Sequence, residues 1–454
     1  MRDGIRRGGG GDDARRGVIV TVVGGGLAGC EAAWALAERG YDVCLREMRP
    51  LVRTPAHQTD RLAEIVCSNT FKSTELTNAH GLLKAELRRL GSLLLRVADT
   101  ARVPGGTALA VDRAVFADAV TAQVTGHPRI TVERGEVTEL PSPGIVATGP
   151  LTSDALARCV AERLGTGALA FYDAIAPIVS ADSLDHARLF RASRYGKGEG
   201  RDYLNAPLTR EAYGALLTAL REGEQFRGHE FDAVPYFEAC LPVEEMAARG
   251  DDVLRFGPLK PVGLPDPRTG HPPFAVVQLR QEDRAGQMWN LVGFQTRLRI
   301  PEQQRIFRTI PGLAEAEFLR FGSVHRNTYL NTPATLAAPL SAPDDPRLLF
   351  AGQLVGVEGY TESLGTGLFA GLTLARILAG APAVLPPPET MLGALLRYVH
   401  GADPRHFQPM NANFGLLPPL PAPPRDKRVR KQRLAERSLA ALEAFADELT
   451  AVRA

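Results

Sequence analysis

The hydrophobic pattern near the start of the chain predicts a strand, a tight turn and a helix in immediate succession. Residues 18–23 form a short apolar run rich in β-branched side chains, which is typical of a buried parallel strand. Three glycines, Gly24, Gly26 and Gly29, lead from this run into a helical segment, and a second apolar strand covers residues 41–47. This order predicts the first strand–helix–strand unit of a dinucleotide-binding fold.

The three glycines fit the spacing G-x-G-x-x-G, and each has its own physical reason. Gly24 allows the turn, Gly26 lets a pyrophosphate approach the backbone, and Gly29 lets the helix pack close to the strand. Free N–H groups at the helix start face the phosphates, and the acid that ends the second strand suits a pair of ribose hydroxyls. We therefore expect the dinucleotide to contact Gly24, Gly25, Gly26, Leu27, Ala28, Gly29 and Glu47.

Two later stretches favour FAD over NAD as this dinucleotide. The apolar strand at 145–149 ends in Ala-Thr-Gly, which many flavoproteins with two dinucleotide domains carry where the chain passes the cofactor. A late strand at 348–353 then runs through a glycine-rich turn into a helix. This return predicts a site assembled from both ends of the chain, with further contacts from Thr148, Gly149, Gly352, Gln353, Glu362 and Gly367.

The segment between these stretches has another character. It is rich in Arg, Tyr, Phe and Pro, contains a proline-rich loop at 257–273, and has a predicted strand pair at 274–280 and 288–294. The predicted fold is therefore α/β, a Rossmann-like FAD-binding domain of the glutathione-reductase type with an inserted α+β domain. Its predicted parts are a disordered leader (1–17), the first part of the FAD-binding domain (18–190), the insertion (191–330), the second part of the FAD-binding domain (331–416), and a proline-rich linker with a basic C-terminal helix (417–454).

Composition narrows the classes of function. The 454 residues suffice for two domains, and the formal net charge is only +2, so nucleic-acid binding requires a local basic patch. The strongest patch lies at 425–433, and Arg191, Arg194 and Lys197 form a weaker one. The cysteines form no CxxC pair, zinc spacing or disulfide framework, which favours a reducing cytoplasm and no metal. No apolar run approaches the roughly 20 residues that span a bilayer, so no membrane contact is expected.

Many separate motifs, in order from about residue 18 to about residue 416, together resemble one family. They include VVGGGLAGCEAA at 22–33, VCSN at 66–69, GLLK at 81–84, YFEACLPVE at 236–244, GPLKPVGL at 257–264, GVEGY at 356–360 and QPMN at 408–411. The family is that of the folate- and FAD-dependent tRNA (uracil-5-)-methyltransferases, relatives of the glucose-inhibited-division flavoproteins. The resemblance implies methylation of carbon 5 of the T-loop uridine of tRNA. It also implies FAD as cofactor, 5,10-methylenetetrahydrofolate and NAD(P)H as cosubstrates, and a monomer or weak homodimer.

Two cysteines are candidates for the chemistry that this resemblance implies. Carbon 5 of uracil becomes nucleophilic when a thiolate adds to carbon 6, and cysteine suits that reversible addition. Cys240, with Glu238 near it in the insertion, is favoured as the nucleophile. Cys67 follows the first dinucleotide-binding unit, where the flavin ring is expected, and is favoured as the group that helps remove the carbon 5 proton. The reverse assignment stays open. The other cysteines are interpreted as packing residues.

Three other functions stay open at this point. A relative that methylates a ribosomal-RNA uridine shares every motif. A flavin-dependent NAD(P)H oxidoreductase acting on another substrate is disfavoured because no CxxC pair accompanies the FAD motifs. A non-catalytic, FAD-bearing RNA-binding protein is disfavoured because both family cysteines are present.

Overall fold

The computed structural model describes residues 18–54, 56–165, 169–226 and 241–450. The strands are β1 Ile19–Val23, β2 Asp42–Glu47, β3 Thr70–Ser73, β4 Arg102–Val103, β5 Ala108–Val111, β6 Ile130–Arg134, β7 Gly144–Val146, β8 Leu169–Ile175, β9 Ile178–Ser180, β10 Phe190–Arg191, β11 Tyr203–Leu208, β12 Ala275–Gln281, β13 Met288–Leu291, β14 Phe318–Arg320, β15 Ser323–Tyr329, β16 Ser341–Ala342 and β17 Asp345–Phe350. The α-helices are α1 Leu27–Ala37, α2 Ala79–Arg89, α3 Leu93–Thr100, α4 Arg113–Thr125, α5 Asp154–Leu164, α6 Arg210–Glu222, α7 Val243–Ala248, α8 Val253–Phe256, α9 Ile300–Phe307, α10 Thr332–Thr335, α11 Tyr360–Leu378, α12 Met391–Gly401 and α13 Lys427–Thr450. The predicted leader, residues 1–17, lies outside the described residues.

The first sheet carries the dinucleotide-binding unit at its centre. Its strand order is β16-β17-β7-β1-β2-β6, and every pair in it is parallel except β16 with β17. The central strands are buried because helices cover the sheet, as parallel sheets require. Strand β17, from the later part of the chain, pairs with β7 beside β1, so the chain returns to the first sheet after the insertion.

Helix α11 packs along α1 with very little space between the two backbones. A β-carbon built at Gly367 would lie 2.2 Å from the carbonyl oxygen of Ala28, and one at Gly371 would lie 2.7 Å from that of Ala32. Small residues on both helices permit this approach. It holds the start of α11 beside the glycine turn.

The second sheet belongs to the insertion and has its own core. Its strand order is β10-β11-β12-β13-β9-β14, and all its pairs are antiparallel. The predicted strand pair is β12 with β13, with Leu279 opposite Leu291. Strand β9 already belongs to this sheet, so the second core starts before the predicted boundary at residue 191. The antiparallel pair β8 and β15 joins the insertion to the first domain.

The C-terminal helix α13 packs against the first core through an apolar stripe. Leu434, Leu442, Phe445 and Leu449 on this helix are all buried. The Ser438 hydroxyl donates to the buried carboxylate of Glu86 on α2. Within the described ranges, no helix is both long and apolar enough to cross a membrane.

Candidate functional site

A groove runs along the carboxyl ends of the first sheet's strands, where dinucleotides bind in open α/β sheets. It offers about 1010 Å³ of space, part of it open to solvent, and both ends of the chain line it. The predicted contact residues on its wall are Gly24, Gly26, Leu27, Ala28, Glu47, Thr148, Gly149, Gly352 and Gln353. The wall residues come from distant parts of the chain: Gly24 and Gln353 are more than 300 positions apart in the sequence. The structure therefore brings together the two halves of the predicted site.

The glycine turn has the shape that a pyrophosphate needs. A β-carbon at Gly29 would lie only 1.8 Å from the carbonyl oxygen of Gly24, so this position holds the helix against the strand. Gly24 adopts a φ of +102°, which favours glycine. A β-carbon at Gly26 would meet nothing within 4 Å, so the space in front of the helix start is open. The open space and the free helix N–H groups fit the phosphates of FAD.

Glu47 is held as an oriented carboxylate at the edge of the groove. Its Oε2 accepts a hydrogen bond of 2.9 Å from the backbone N–H of Gly25, and its Oε1 accepts from the backbone and side chain of Arg49. Burial opposes ionisation, but the hydrogen bonds and charge of Arg49 outweigh it and lower the pKa of Glu47. An ionised acceptor at this place suits ribose hydroxyls.

Four of the predicted cofactor contacts do not line the groove. Gly29 lets α1 pack against the backbone of Gly24, and Gly367 lets α11 pack against the backbone of Ala28. Gly25 contacts the Glu47 side chain. Glu362 lines a second cavity next to the groove. Gly367 faces Ala28 of α1 and is not on the groove wall, so the contact that the structure gives this residue is one of helix packing.

The second cavity adjoins the groove and contains Cys67. Gln353 and Tyr360 line both spaces, so the two are continuous at these side chains. Other polar side chains on the cavity wall are Ser68, Lys72, Asn327, Glu358, Glu362 and Asn411. Cys67 thus lies in the cavity next to the dinucleotide groove. The other cysteine of interest, Cys240, and its neighbour Glu238 lie outside the described residues.

Tyr360 lines both cavities and contacts Cys67, a position that the sequence pattern did not predict. Its hydroxyl oxygen accepts the backbone N–H groups of Cys67 at 2.9 Å and Ser68 at 3.1 Å, and lies 3.0 Å from the Cys67 sulfur. The pKa of Tyr360 is raised well above its usual value, mainly by burial and to a smaller extent by the nearby Cys67. Because both oxygen lone pairs accept N–H groups, the retained O–H proton is free to point at the sulfur. A donor in that position favours the thiolate.

Three arginines hold the loop that carries Cys67. Arg113 donates to the carbonyls of Ile65 and Val66 at 2.9 and 3.0 Å, and its Nε lies 2.6 Å from Glu282 of the insertion. Arg320, which like Glu282 belongs to the insertion, donates to the same Val66 carbonyl at 3.0 Å. Arg280 donates to the Asn69 side chain at 2.7 Å and to Ser68 at 3.0 Å. The insertion therefore fixes the backbone on both sides of Cys67.

A buried charged cluster forms the far wall of the second cavity. Glu362 accepts from the Ala412 N–H at 2.9 Å and pairs with His80 at 3.0 Å. Burial opposes its ionisation, but His80 and Lys72 lower the pKa of Glu362. Lys72 donates to Asn411 at 2.6 Å, which ties the segment after α12 to this wall. These contacts make Glu362 a structural anchor of the cavity.

The remaining described cysteines have packing positions. Cys30 is fully buried in α1, and burial raises the pKa of its thiol far above the usual value. Cys44 and Cys159 are partly buried on β2 and α5, outside both cavities. Among the residues that the structure describes, no group of three or more His, Cys, Asp or Glu side chains is arranged to hold a metal ion.

Comparison with known proteins adds relatives of both sequence and fold. The family model of glucose inhibited division protein A matches residues 19–382. The chain is 56% identical over 430 residues to the methylenetetrahydrofolate--tRNA-(uracil-5-)-methyltransferase TrmFO of Pelobacter propionicus, covering 94% of each chain. It is 57% identical over 422 residues to that of Geobacter sulfurreducens, covering 92% of this chain and 97% of the relative. The solved structure of Aquifex aeolicus GidA is similar in fold, with a TM-score of 0.66 at 15% identity, over 95% of this chain and 75% of GidA.

Proposed function

The chain belongs to the TrmFO family of GidA-related flavoproteins, and from this membership we propose that it is a methylenetetrahydrofolate-dependent tRNA (uracil-5-)-methyltransferase. The observation that carries the proposal is the position of Cys67. Its sulfur lies against the Tyr360 hydroxyl, where the dinucleotide groove meets a second cavity. A cysteine that can accept a proton as its thiolate, held between a redox cofactor site and a second ligand space, suits methyl transfer to a ring carbon that must lose its hydrogen.

The reaction requires two kinds of protein group around the uracil ring. A thiolate adds to carbon 6, which makes carbon 5 an enolate-like nucleophile, and carbon 5 then bonds to the methylene carbon released from the folate. Loss of the carbon 5 proton, with cleavage of the bond between the methylene carbon and its carrier nitrogen, leaves a methylene group on carbon 5. Addition of a hydride equivalent to that methylene then expels the thiolate and restores the ring. FAD, when bound and reduced by NAD(P)H, supplies the hydride equivalent that turns the methylene into a methyl group.

The residues of this chain divide these tasks as follows. Gly24, Gly26, Leu27, Ala28, Glu47, Thr148, Gly149, Gly352 and Gln353 hold FAD in a domain of the glutathione-reductase type. Cys67 helps to remove the carbon 5 proton, and the contact with Tyr360 supports its thiolate form. Cys240 is the nucleophile on carbon 6. Arg113, Arg280 and Arg320 position the Cys67 loop.

The proposed target is the T-loop uridine of tRNA, and the proposed protein is a cytoplasmic monomer or weak homodimer. Incubation with unmodified tRNA, methylenetetrahydrofolate and either NADH or NADPH should yield 5-methyluridine, measured by mass spectrometry. A tRNA in which the T-loop uridine is replaced by cytidine should give no product. If 5-methyluridine formed in ribosomal RNA but not in tRNA, the substrate would be ribosomal RNA and the proposed target would be wrong. NAD(P)H oxidation without methylated RNA of either kind would favour the oxidoreductase alternative.

The roles of the two cysteines have a separate test. RNA containing 5-fluorouracil should form a covalent adduct with the wild-type protein and with Cys67→Ala, but not with Cys240→Ala. Cys159→Ala is the matched control, because this partly buried cysteine lies outside both cavities. An adduct that persists in Cys240→Ala and disappears in Cys67→Ala would reverse the assignment.

A further inference from the structure

The first turns of α13, together with Arg425 just before the helix, carry a dense group of exposed positive charges. This basic turn consists of Arg425, Lys427, Arg428, Arg430, Lys431 and Arg433, all of which are exposed. In the described part of the chain, no acidic side chain forms a salt bridge with any of the six. Lys431 lies over the ring of Phe414, with its Nζ 5.7 Å from the ring centroid. The charges are therefore available to a partner outside the chain.

This arrangement opposes the stability of the helix itself. The N-terminus of a helix carries a partial positive charge, and α13 has no acidic residue in its first turn. Lys427 lies three and four positions before Arg430 and Lys431, so like charges face each other along the helix. The cap opposes this repulsion, since Asp426 accepts the N–H groups of Arg428 and Val429 at 2.7 and 2.9 Å. A local conflict of this kind indicates that the charges serve a function.

The rest of α13 holds the basic turn in a defined position. Arg89 of α2 donates to the carbonyl of Leu439 at 2.9 Å and lies 3.2 Å from Glu443. Arg437 donates to the carbonyl of Pro419 at 3.1 Å, which ties the preceding linker to the helix. With the buried apolar stripe, these contacts fix the helix, so the charged turn is displayed on a rigid support.

The basic turn lies beside a segment that lines the second cavity. Asn411 lines that cavity and Ala412 donates to Glu362 on its wall. Phe414, two residues further on, contacts Lys431. A macromolecule bound to the basic turn would therefore lie close to the segment 411–414, whose first residue lines the cavity that contains Cys67.

We propose that the basic turn of α13 is a docking surface for the phosphate backbone of the RNA substrate. This proposal rests on the proposed function, which supplies a folded RNA as partner. Closely spaced cations bind a polyanion through release of its counterions. The weaker patch is less suited, because Lys197 pairs with Glu75 at 2.9 Å and Arg194 donates to the Lys260 carbonyl at 2.8 Å. A lipid surface is disfavoured, because the apolar stripe of α13 is already buried in the first core.

The test compares three substitution sets on the full-length flavoprotein. The first set, Arg428→Gln, Arg430→Gln and Arg433→Gln, removes three charges from the basic turn. The second replaces the same arginines with lysine and keeps the charge. The third, Arg158→Gln, Arg188→Gln and Arg299→Gln, removes three exposed charges elsewhere. Dissociation constants for unmodified tRNA are measured over a series of KCl concentrations.

The glutamine set should raise the dissociation constant for tRNA about tenfold or more near 150 mM salt and lower the salt slope by about 2–3. KM for tRNA should rise while kcat, FAD content and NAD(P)H-driven flavin reduction stay unchanged. The melting temperature should not fall, because glutamine removes repulsion from the helix. The lysine set and the distant glutamine set should both bind tRNA within about twofold of the wild-type protein, since the lysine set retains the phosphate-binding charges.

Two outcomes separate failure of this surface from failure of the proposed function. Unchanged tRNA affinity and KM in the glutamine set, with methylation intact, would overturn the docking surface alone. If the glutamine set instead lost binding to vesicles of phosphatidylserine and not to tRNA, the basic turn would be a membrane contact and the proposal would fail. Absence of 5-methyluridine with the wild-type protein would refute the proposed function, while a loss of RNA binding in the glutamine set would still support the surface.

Discussion

Gly26 and Gly29 stand three residues apart in one turn, yet the space around them is opposite. Gly26 has open space and a backbone conformation of φ −79° and ψ −167° that alanine can adopt, whereas Gly29 faces the Gly24 carbonyl. Gly29→Ala should destabilise the protein by about 1–3 kcal/mol or more, because the added carbon forces helix and strand apart. Gly26→Ala should change the stability of the FAD-free protein by less than about 0.5 kcal/mol but weaken FAD binding, because the methyl group fills the phosphate space.

Denaturant unfolding of the FAD-free proteins and flavin absorbance after titration measure these two effects separately. Wild-type FAD affinity in Gly26→Ala would contradict the placement of the pyrophosphate. This pair of roles was predictable from the spacing of the glycines alone, since the geometry of such a turn is local.

Lys84 predicts a specific dependence of stability on pH. Its Nζ donates to the Phe71 carbonyl at 2.7 Å in a fully buried site. Burial lowers the pKa of Lys84 to about 7 although nearby Glu362 raises it, and the unfolded chain has the ordinary value of 10.5. Between these values the unfolded state binds a proton that the folded state lacks, so this group makes the free energy of unfolding rise with pH.

Lys84→Met should therefore remove a rise of up to about 1.4 kcal/mol per pH unit between pH 7 and pH 10. Urea unfolding at several pH values, compared with the exposed control Lys197→Met, isolates this contribution from other alkaline effects. A parallel pH dependence in wild type and Lys84→Met would show that Lys84 is charged in both states.

At the scale of elements, the contact of α11 with α1 decides where the start of α11 lies. Gly367→Ala should destabilise the protein by about 1–3 kcal/mol, because its β-carbon would lie 2.2 Å from the Ala28 carbonyl. Gly365→Ala is the matched control on the same helix, since its β-carbon meets the flexible Leu87 side chain at 3.2 Å. Alanine favours a helix interior by about 1 kcal/mol, so this control should be neutral or stabilising. Equal urea midpoints for the two variants would refute the close contact.

The elements show what a sequence pattern can and cannot predict. The strand before the glycine turn, the β12–β13 pair and the apolar stripe of α13 follow from local periodicity, and the structure has them. The packing role of Gly367 was missed because periodicity does not tell which face of α11 meets α1. Tyr360 was missed because its partner Cys67 lies 293 positions away, and that contact exists only after both domains have folded.

At the scale of the whole molecule, two cores meet around the Cys67 loop. The boundary of the insertion was predicted too late because β9 has only three residues, too few for a period to appear. The ring of arginines around the loop was also beyond prediction, since Arg113 belongs to the first domain and Arg280 and Arg320 belong to the insertion. Their shared target, the loop backbone, is visible only in three dimensions.

The pair of Arg113 and Glu282 makes the order of the Cys67 loop depend on the insertion. Glu282 is fully buried and lies 2.6 Å from the Arg113 Nε, while Arg113 also donates to Ile65 and Val66. Glu282→Gln should cost about 1.5–3 kcal/mol, because it leaves the partly buried Arg113 without its anion. It should also loosen the loop, since Arg113 then needs water or another partner.

Hydrogen exchange of the amides at 65–69 and the alkylation rate of Cys67, read by peptide mass spectrometry, should both increase in Glu282→Gln. Glu302→Gln supplies the control, because its pair with Arg305 is exposed on the same insertion and should contribute less than about 1 kcal/mol. If exchange and alkylation stayed at wild-type rates in Glu282→Gln, the loop would owe its order to the first domain alone. An increase confined to Glu282→Gln would mean that the insertion controls access to Cys67 as well as adding a second core.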